Sequence, residues 1–273
     1  YTSYYTNGNI HETGILKSGY RADYWFDYDI EGNIQRELFY SLDSLSTDKN
    51  YLKTRIVTYY ETGEKYSEYY ANSFLDCNPD DPCSIYNGFQ HTLEIKEGEF
   101  ISFYKTGNLK EKGIYEENIK QEQWNEFYPN NNILSTTIYV NGSGLFVSYY
   151  DDDNEKIIYK TGYYIDEYKN GLWKVYNTKG ELIKDYYYNK DLLDVNYPMN
   201  IYYLSREVLE GFEYDLDNPY LKMKFFSKGL PEDYVFEGIY ESYYLNKNLH
   251  ESGVYKNNNK YGFWNEYYNN GNL

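Results

Sequence analysis

An internal repeat constrains this chain more than any other feature of its sequence. Three segments that begin at Tyr4, Phe103 and Tyr243 share one pattern, in which an aromatic pair is followed by a turn, by Ile or Leu, and then by Gly. When all copies are aligned on the turn, the spacing between successive turn residues is most often close to 24 residues. The predicted turn residues are Gly8, Gly32, Gly63, Gly107, Asn131, Asn154, Gly180, Arg206, Gly229, Lys247 and Gly271. Such a period predicts an array in which each repeat is one supersecondary unit.

Each repeat has the composition of a β-hairpin. In the fullest copies, 169–182 and 259–273, runs of aromatic and β-branched residues are separated by Asn-Gly or Lys-Gly pairs, which are typical of strands and tight turns. No segment has a sustained helical period of apolar residues. We therefore predict an all-β fold, an elongated single-layer array of about 11–12 stacked antiparallel β-hairpins joined as a meander.

The regularity of the repeat varies along the chain. We predict an N-terminal hairpin array over 1–190, with surface insertions at 41–50 and 71–88 where the aromatic pattern is interrupted. Over 191–231 the repeats are degenerate, because Pro198, Pro219 and Pro231 limit strand pairing, and we expect a bend there. Residues 232–273 form C-terminal hairpins, of which the last is incomplete.

The charge of the chain excludes several classes of partner. It has 26 basic and 43 acidic side chains, a formal net charge of −17, which opposes binding to nucleic acid or to an anionic membrane surface. No apolar run is long enough for a transmembrane helix, so we expect no membrane insertion. A protein partner with a basic surface is the expected complement.

Aromatic residues supply about half of the apolar material, as 41 Tyr, 13 Phe and 4 Trp. Two adjacent aromatics on a strand point to opposite faces of a sheet. Trp25, Trp124, Trp173 and Trp264 share one repeat position, which predicts a packing role. We predict that a ladder of tyrosines on the other face binds a partner. The alternative is that both faces only hold the thin sheet together. The ladder residues are Tyr5, Tyr60, Tyr104, Tyr128, Tyr150, Tyr176, Tyr244 and Tyr267.

The sequence contains none of the common catalytic motifs, so we expect no enzyme activity, no cofactor and no metal site. Residues 27–38 resemble a calcium loop, but Leu38 stands where the bidentate Glu is needed, which favours a hairpin turn. The acidic run Asp151-Asp152-Asp153, with Glu155 nearby, is interpreted as a solvated loop.

Both cysteines of the chain, Cys77 and Cys83, lie in one short loop rich in Pro and Asp. A lone pair at this spacing favours a disulfide, and hence an extracytoplasmic location at the cell surface or in the periplasm. The alternative is a pair of free thiols in a cytoplasmic protein. Metal binding is less favoured, because no second Cys or His pair accompanies them.

The repeat contains the motif Tyr-Tyr-x-x-Gly-x-Leu, followed by Gly-x-Tyr and then by Gly-x-Trp. It is clearest over 104–128, 170–182 and 243–273. This motif resembles the MORN repeat in its bacterial variant. The resemblance covers about two thirds of the chain. It implies stacked hairpins without catalytic residues, and therefore a scaffold for protein-protein interaction.

Two other functions stay open. Some bacterial MORN-like proteins are labelled antitoxins, which implies an immunity protein that neutralises a basic toxin. A weaker resemblance to aromatic cell-wall-binding repeats, whose period is shorter, implies glycan binding through a tyrosine ladder. The sequence leaves the oligomeric state undetermined.

Overall fold

The computed structural model describes residues 1–17, 20–41, 51–74, 94–152, 155–202, 206–209, 212–215, 221–230 and 233–273. Within these ranges the regular structure consists of antiparallel β-strands, and no helix occurs. The chain divides into two compact units, unit 1 (Tyr1–Ile133) and unit 2 (Leu134–Leu273). Each unit is a single-layer hairpin meander, so the predicted all-β class is confirmed.

Unit 1 contains nine described strands, each paired with the next along the chain. They are β1 (Thr2–Tyr4), β2 (Ile10–Lys17), β3 (Tyr20–Tyr28), β4 (Ile34–Tyr40), β5 (Tyr51–Tyr59), β6 (Lys65–Phe74), β7 (Glu94–Phe103), β8 (Leu109–Glu116) and β9 (Ile119–Phe127). The inserted segment predicted at 41–50 lies outside the described residues from 42 onward, as does the cysteine loop with Cys77 and Cys83.

Unit 2 begins within β10, and its strands pair with their neighbours along the chain except that β14 pairs with both β15 and β16, β16 pairs with β19, and β17 and β18 form a separate two-stranded hairpin. Its strands are β10 (Ile133–Val140), β11 (Ser143–Tyr149), β12 (Ile158–Ile165), β13 (Tyr168–Tyr176), β14 (Leu182–Asn189), β15 (Leu192–Leu193), β16 (Met199–Tyr202), β17 (Arg206–Leu209), β18 (Phe212–Asp215), β19 (Leu221–Leu230), β20 (Asp233–Tyr243), β21 (Leu249–Lys256) and β22 (Asn259–Glu266).

Two kinds of turn recur between the described strands. In the first, the Tyr104 N–H donates to Asn108 O (2.8 Å) and the Gly107 N–H donates to Tyr104 O (2.9 Å). Gly107 has a φ of 84°, which glycine adopts without the penalty of a Cβ. In the second kind, such as Glu117–Asn118, both residues have positive φ, at 50° and 68°. That is the geometry of a type I′ hairpin turn, whose twist matches that of the strands.

Eight of the eleven predicted turn residues close a four-residue turn of the first kind, namely Gly8, Gly32, Gly63, Gly107, Asn131, Gly180, Lys247 and Gly271. Asn154 lies outside the described residues. The predictions for Arg206 and Gly229 are wrong, because Arg206 begins β17 and Gly229 lies inside β19. The aromatic residue that suggested the latter turn, Phe225, is fully buried mid-strand between Met199 and Tyr240.

Asn170-Gly171 also lies within a strand, although an Asn-Gly pair is typical of a turn. It forms a bulge in β13, where Gly171 has a φ of 66° and the register with β12 shifts between Thr161 and Tyr163. The turn between these strands is Asp166–Glu167 instead. The predicted division into 1–190, 191–231 and 232–273 describes the regularity of the repeats and stays a prediction.

Each unit has one cluster of buried apolar side chains on the face that carries the tryptophans, which we call the Trp face. In unit 1 the cluster is Trp25, Leu38, Tyr40, Ile56 and Ala71. In unit 2 it is Trp173, Val175, Tyr186, Tyr188, Leu193, Met199 and Phe225. The other side of each sheet is called the opposite face.

Candidate functional site

The tryptophans have a packing role, as predicted. Trp25, Trp124 and Trp173 are at most 3% exposed, and each lies beside a glycine of the preceding strand. A Cβ added to Gly162 would come within 2.1 Å of Trp173 Cδ2, and Gly14, Gly113 and Gly253 meet Trp25, Trp124 and Trp264 in the same way. In three of these copies, Gly113, Gly162 and Gly253, the glycine is that of the repeated Gly-x-Tyr, and an indole ring lies flat on the bare backbone there.

A basic side chain covers the other side of several indole rings. The Arg21 guanidinium lies 4.3 Å from the Trp25 ring centroid, and the Lys120 ammonium lies 4.3 Å from that of Trp124. Lys260 lies 4.0 Å from Trp264 in the third copy. Each contact is a cation–π interaction.

An acidic side chain holds each of these cations in place. Arg21 pairs with Glu12 at 2.6 Å and Lys120 with Glu111 at 3.3 Å, and Lys260 pairs with Glu251. In all three copies the Glu is nine residues before the cation and the cation four before the Trp. Sequence reasoning missed this triad, although its spacing was visible.

The predicted tyrosine ladder is half-buried at all eight positions. Five of its hydroxyls donate to a main-chain carbonyl one repeat further on: Tyr5 to Tyr28 (2.7 Å), Tyr60 to Phe103 (2.9 Å), Tyr104 to Phe127 (2.7 Å), Tyr150 to Tyr176 (2.7 Å) and Tyr244 to Tyr267 (2.8 Å). These hydroxyls tie consecutive turns together. That the ladder binds a partner stays a prediction.

The register of the turns separates the eight tyrosines into two groups. Five of them, including Tyr128, are the first residue of a four-residue turn, whereas the Tyr150 N–H donates to Ile157 O (2.9 Å). Tyr176 and Tyr267 lie one position earlier, and their carbonyls accept the bonds from Tyr150 and Tyr244. A shift of one residue along a strand moves a side chain to the other face of the sheet. The predicted ladder therefore combined tyrosines from two different positions of the repeat.

Unit 1 also contains a polar cluster on the Trp face. Arg36 pairs with Asp27 at 2.7 Å and with Glu94 at 3.0 Å. Burial, with Glu94 nearby, raises the pKa of Tyr69 to about 12. The cluster carries two carboxylates and one cation that already pair, which suits structural stabilisation rather than the capture of a ligand.

The residues that resemble a calcium loop form a hairpin turn. The Gly32 N–H donates to Asp29 O (3.1 Å), and the Asn33 side chain and N–H both donate to the Asp29 carboxylate, which lowers the pKa of that carboxyl. Among the residues that the structure describes, no group of three or more His, Cys, Asp or Glu side chains is placed to hold a metal.

On the opposite face of unit 2, neighbouring apolar side chains are exposed to solvent. Ile138, Leu145 and Tyr163 are direct cross-strand neighbours on β10, β11 and β12, and are 58%, 56% and 45% exposed. With other exposed residues of the same face they form what we call the β10–β13 patch: Ile138, Val140, Leu145, Tyr163, Ile165, Tyr168 and Leu172. Contiguous exposed apolar residues mark an interaction surface.

A second row of the same kind crosses the last hairpins of unit 2. Ile239, Val254 and Tyr261 are cross-strand neighbours on β20, β21 and β22, and all three are exposed. Phe263, on the same strand as Tyr261, is 97% exposed. Apolar rows on the opposite face therefore recur in unit 2.

Comparison with known proteins adds no family to this description. The chain matches no protein-family model and no curated protein. In the part of the chain that the structure describes, no helix is long and apolar enough to cross a membrane.

Proposed function

We propose that this protein is a non-catalytic repeat scaffold that binds another protein through the opposite face of its sheet. The observation that carries the proposal is the row Ile138–Leu145–Tyr163, in which three neighbouring strands each expose a large apolar side chain. A surface residue that no packing requirement explains is a stronger sign of binding than a buried one.

The division of labour between the two faces supports the proposal. The Trp face carries the buried clusters of both units, and the hydroxyls of five ladder tyrosines are committed to the main chain. The opposite face is thus free to vary without loss of the fold, and in unit 2 it carries apolar residues. The core of a protein interface is likewise formed by apolar residues and is depleted of charged ones.

The net charge of −17 indicates the sign of the partner. A basic protein would be attracted at long range, and the attraction would weaken with salt. The resemblance to bacterial MORN-like repeats agrees with a scaffold. Its extracytoplasmic location is part of the proposal and depends on the oxidation state of Cys77 and Cys83, which lie outside the described residues.

A matched pair of variants tests this function. The full chain and its L145S/Y163S variant are used as baits for extracts of the source organism, and I10S/I119S in unit 1 serves as a control with two other exposed apolar residues removed. We expect proteins that are retained by the wild type and the control but lost from L145S/Y163S. Equal retention by all three baits would refute binding through this face.

A further inference from the structure

The β10–β13 patch is almost free of charge in a chain of which 25% is charged. On the strands β10 to β13, all of them described, the side chains that alternate onto the opposite face include one charged residue, Lys174. The apolar residues are exposed by 37% to 69%. The middle of this surface is therefore suited to an apolar stripe of a partner.

The patch lies toward one end of β12, where Tyr163 and Ile165 belong to it, and both ends of that strand are acidic. At one end of β12 the exposed Asp151, Asp152 and Glu155 precede the strand, and at the other end the turn Asp166–Glu167 follows it. Among the described two-residue turns with positive φ, this turn alone has two carboxylates. The basic residue closest in sequence to Asp151, Asp152 and Glu155 is Lys156.

The distance between the acidic ends follows from the strand between them. β12 has eight residues, Ile158–Ile165, and at about 3.3 Å per residue it spans roughly 26 Å. A ligand that meets both ends must present positive charge at two points separated by about this length.

Strand pairing determines how such a ligand can lie. β11 pairs with β10 and β12, β12 with β11 and β13, and β13 with β12 and β14. An added strand needs a free edge, and these central strands have none. A helix that lies on the sheet face needs no edge and is the usual second layer over a sheet. At about 1.5 Å per residue, a helix of about 17 residues spans the length of β12, from one acidic end across the patch to the other.

We propose that the β10–β13 patch binds an amphipathic α-helix of a partner protein that has an apolar stripe and Lys or Arg near both ends. The inference rests on the proposed function and specifies its place and partner chemistry. A second copy of the chain is disfavoured as the occupant, because two molecules of charge −17 repel each other.

The first experiment places a photo-crosslinking amino acid at Leu145 in the full chain and, as a control, at Ile119. After irradiation in extract of the source organism, the crosslinked segment is identified by mass spectrometry. We expect a segment specific to position 145 with apolar residues at helical spacing and basic residues near both ends. An acidic or extended segment, a second copy of this chain or lipid at position 145 would overturn the inference.

The second experiment measures the affinity of a synthetic peptide of the crosslinked segment. We expect L145S/Y163S to weaken binding at least about tenfold, and D151N/D152N/D166N/E167Q to weaken it by about tenfold and to reduce its salt dependence. I239S/V254S, in the other exposed row, should leave the affinity unchanged. Insensitivity to the acidic substitutions would overturn the inference.

These results also distinguish a failure of the helix proposal from a failure of the proposed protein-binding function. Retention that depends on Leu145 and Tyr163, but through a segment of different chemistry, would leave the binding function intact and remove the helix. Loss of all patch-dependent retention would remove both.

Discussion

At the scale of single residues, the glycine beside each tryptophan is the position where the fold tolerates least change. We expect Gly162→Ala to lower the free energy of unfolding by about 1–3 kcal/mol, since the added Cβ overlaps the buried Trp173 ring and the ring must move. Urea unfolding followed by circular dichroism measures the loss. Thr161→Ala on the same strand, beside the glycine, is the control and should cost less.

A double variant shows whether the clash with Trp173 is the cause. In a Trp173→Ala background the ring is gone, so adding Gly162→Ala should cost almost nothing further. Residues in contact are expected to be non-additive in this way. Additive losses would mean that Gly162 is required for its backbone alone.

The sequence shows that these glycines repeat but not why. Gly162 has no positive φ that would demand glycine, so its role is visible only once the indole lies on it. The triad of Glu, cation and Trp was equally readable as a spacing, yet nothing in one sequence distinguishes a contact from a coincidence.

At the scale of the hairpin, the ladder tyrosines are expected to act as staples between repeats. Tyr104→Phe removes the hydroxyl that donates to Phe127 O, and we expect it to lower the free energy of unfolding by about 1 kcal/mol. Tyr163→Phe is the matched control, because its exposed side chain lies in the β10–β13 patch, and it should change stability by less than about 0.5 kcal/mol. Equal effects in urea unfolding would contradict the stapling role.

The cation over each indole can be tested in the same hairpins. We expect Lys120→Met to lower the free energy of unfolding by about 0.5–1 kcal/mol, because the contacts with Trp124 and Glu111 are lost while the apolar stem remains. Lys112→Met breaks only an exposed pair with Glu99 and should cost less. If the two variants unfold at the same urea concentration, the indole contact contributes nothing measurable.

The elements themselves could be predicted because period-two alternation and turn residues dictate them locally. The errors fall where tertiary pairing overrides a local signal. Asn170-Gly171 became a bulge because the strand continues past it to pair with β14, and Gly229 stayed in β19 because Phe225 is needed in the core. Local composition carries no information about such partners.

At the scale of the whole molecule, the fold was predictable and the proposed binding surface was not, for one reason. Packing imposes the same residue types on the Trp face in every repeat, so they recur in the sequence. The opposite face has no such requirement: the residue before the tryptophan is Gln123 in one copy, Leu172 in another and Phe263 in a third. A position that varies between copies cannot be recognised from the repeat.

The tyrosines of the molecule should also set its limit of stability at alkaline pH. Burial is the leading cause that raises the pKa of Tyr40, Tyr59, Tyr69, Tyr150, Tyr202, Tyr234, Tyr240 and Tyr243, to about 12 for Tyr69 and Tyr243. In the unfolded chain a tyrosine has a pKa of about 10. Because the folded state binds the proton more tightly, this stabilisation is complete below pH 10 and is lost as the pH rises through 12.

We therefore expect cooperative unfolding between pH 10 and 12, with tyrosinate absorbance rising together with the loss of β-sheet circular dichroism. Tyr69→Phe removes one group that must ionise and should move the transition to higher pH. High salt separates this cause from general repulsion in a chain of charge −17, because screening weakens repulsion between surface charges but not the cost of burying a phenolate. Full ionisation of the tyrosines near pH 10 with the sheet intact would contradict the burial that raises these pKa values.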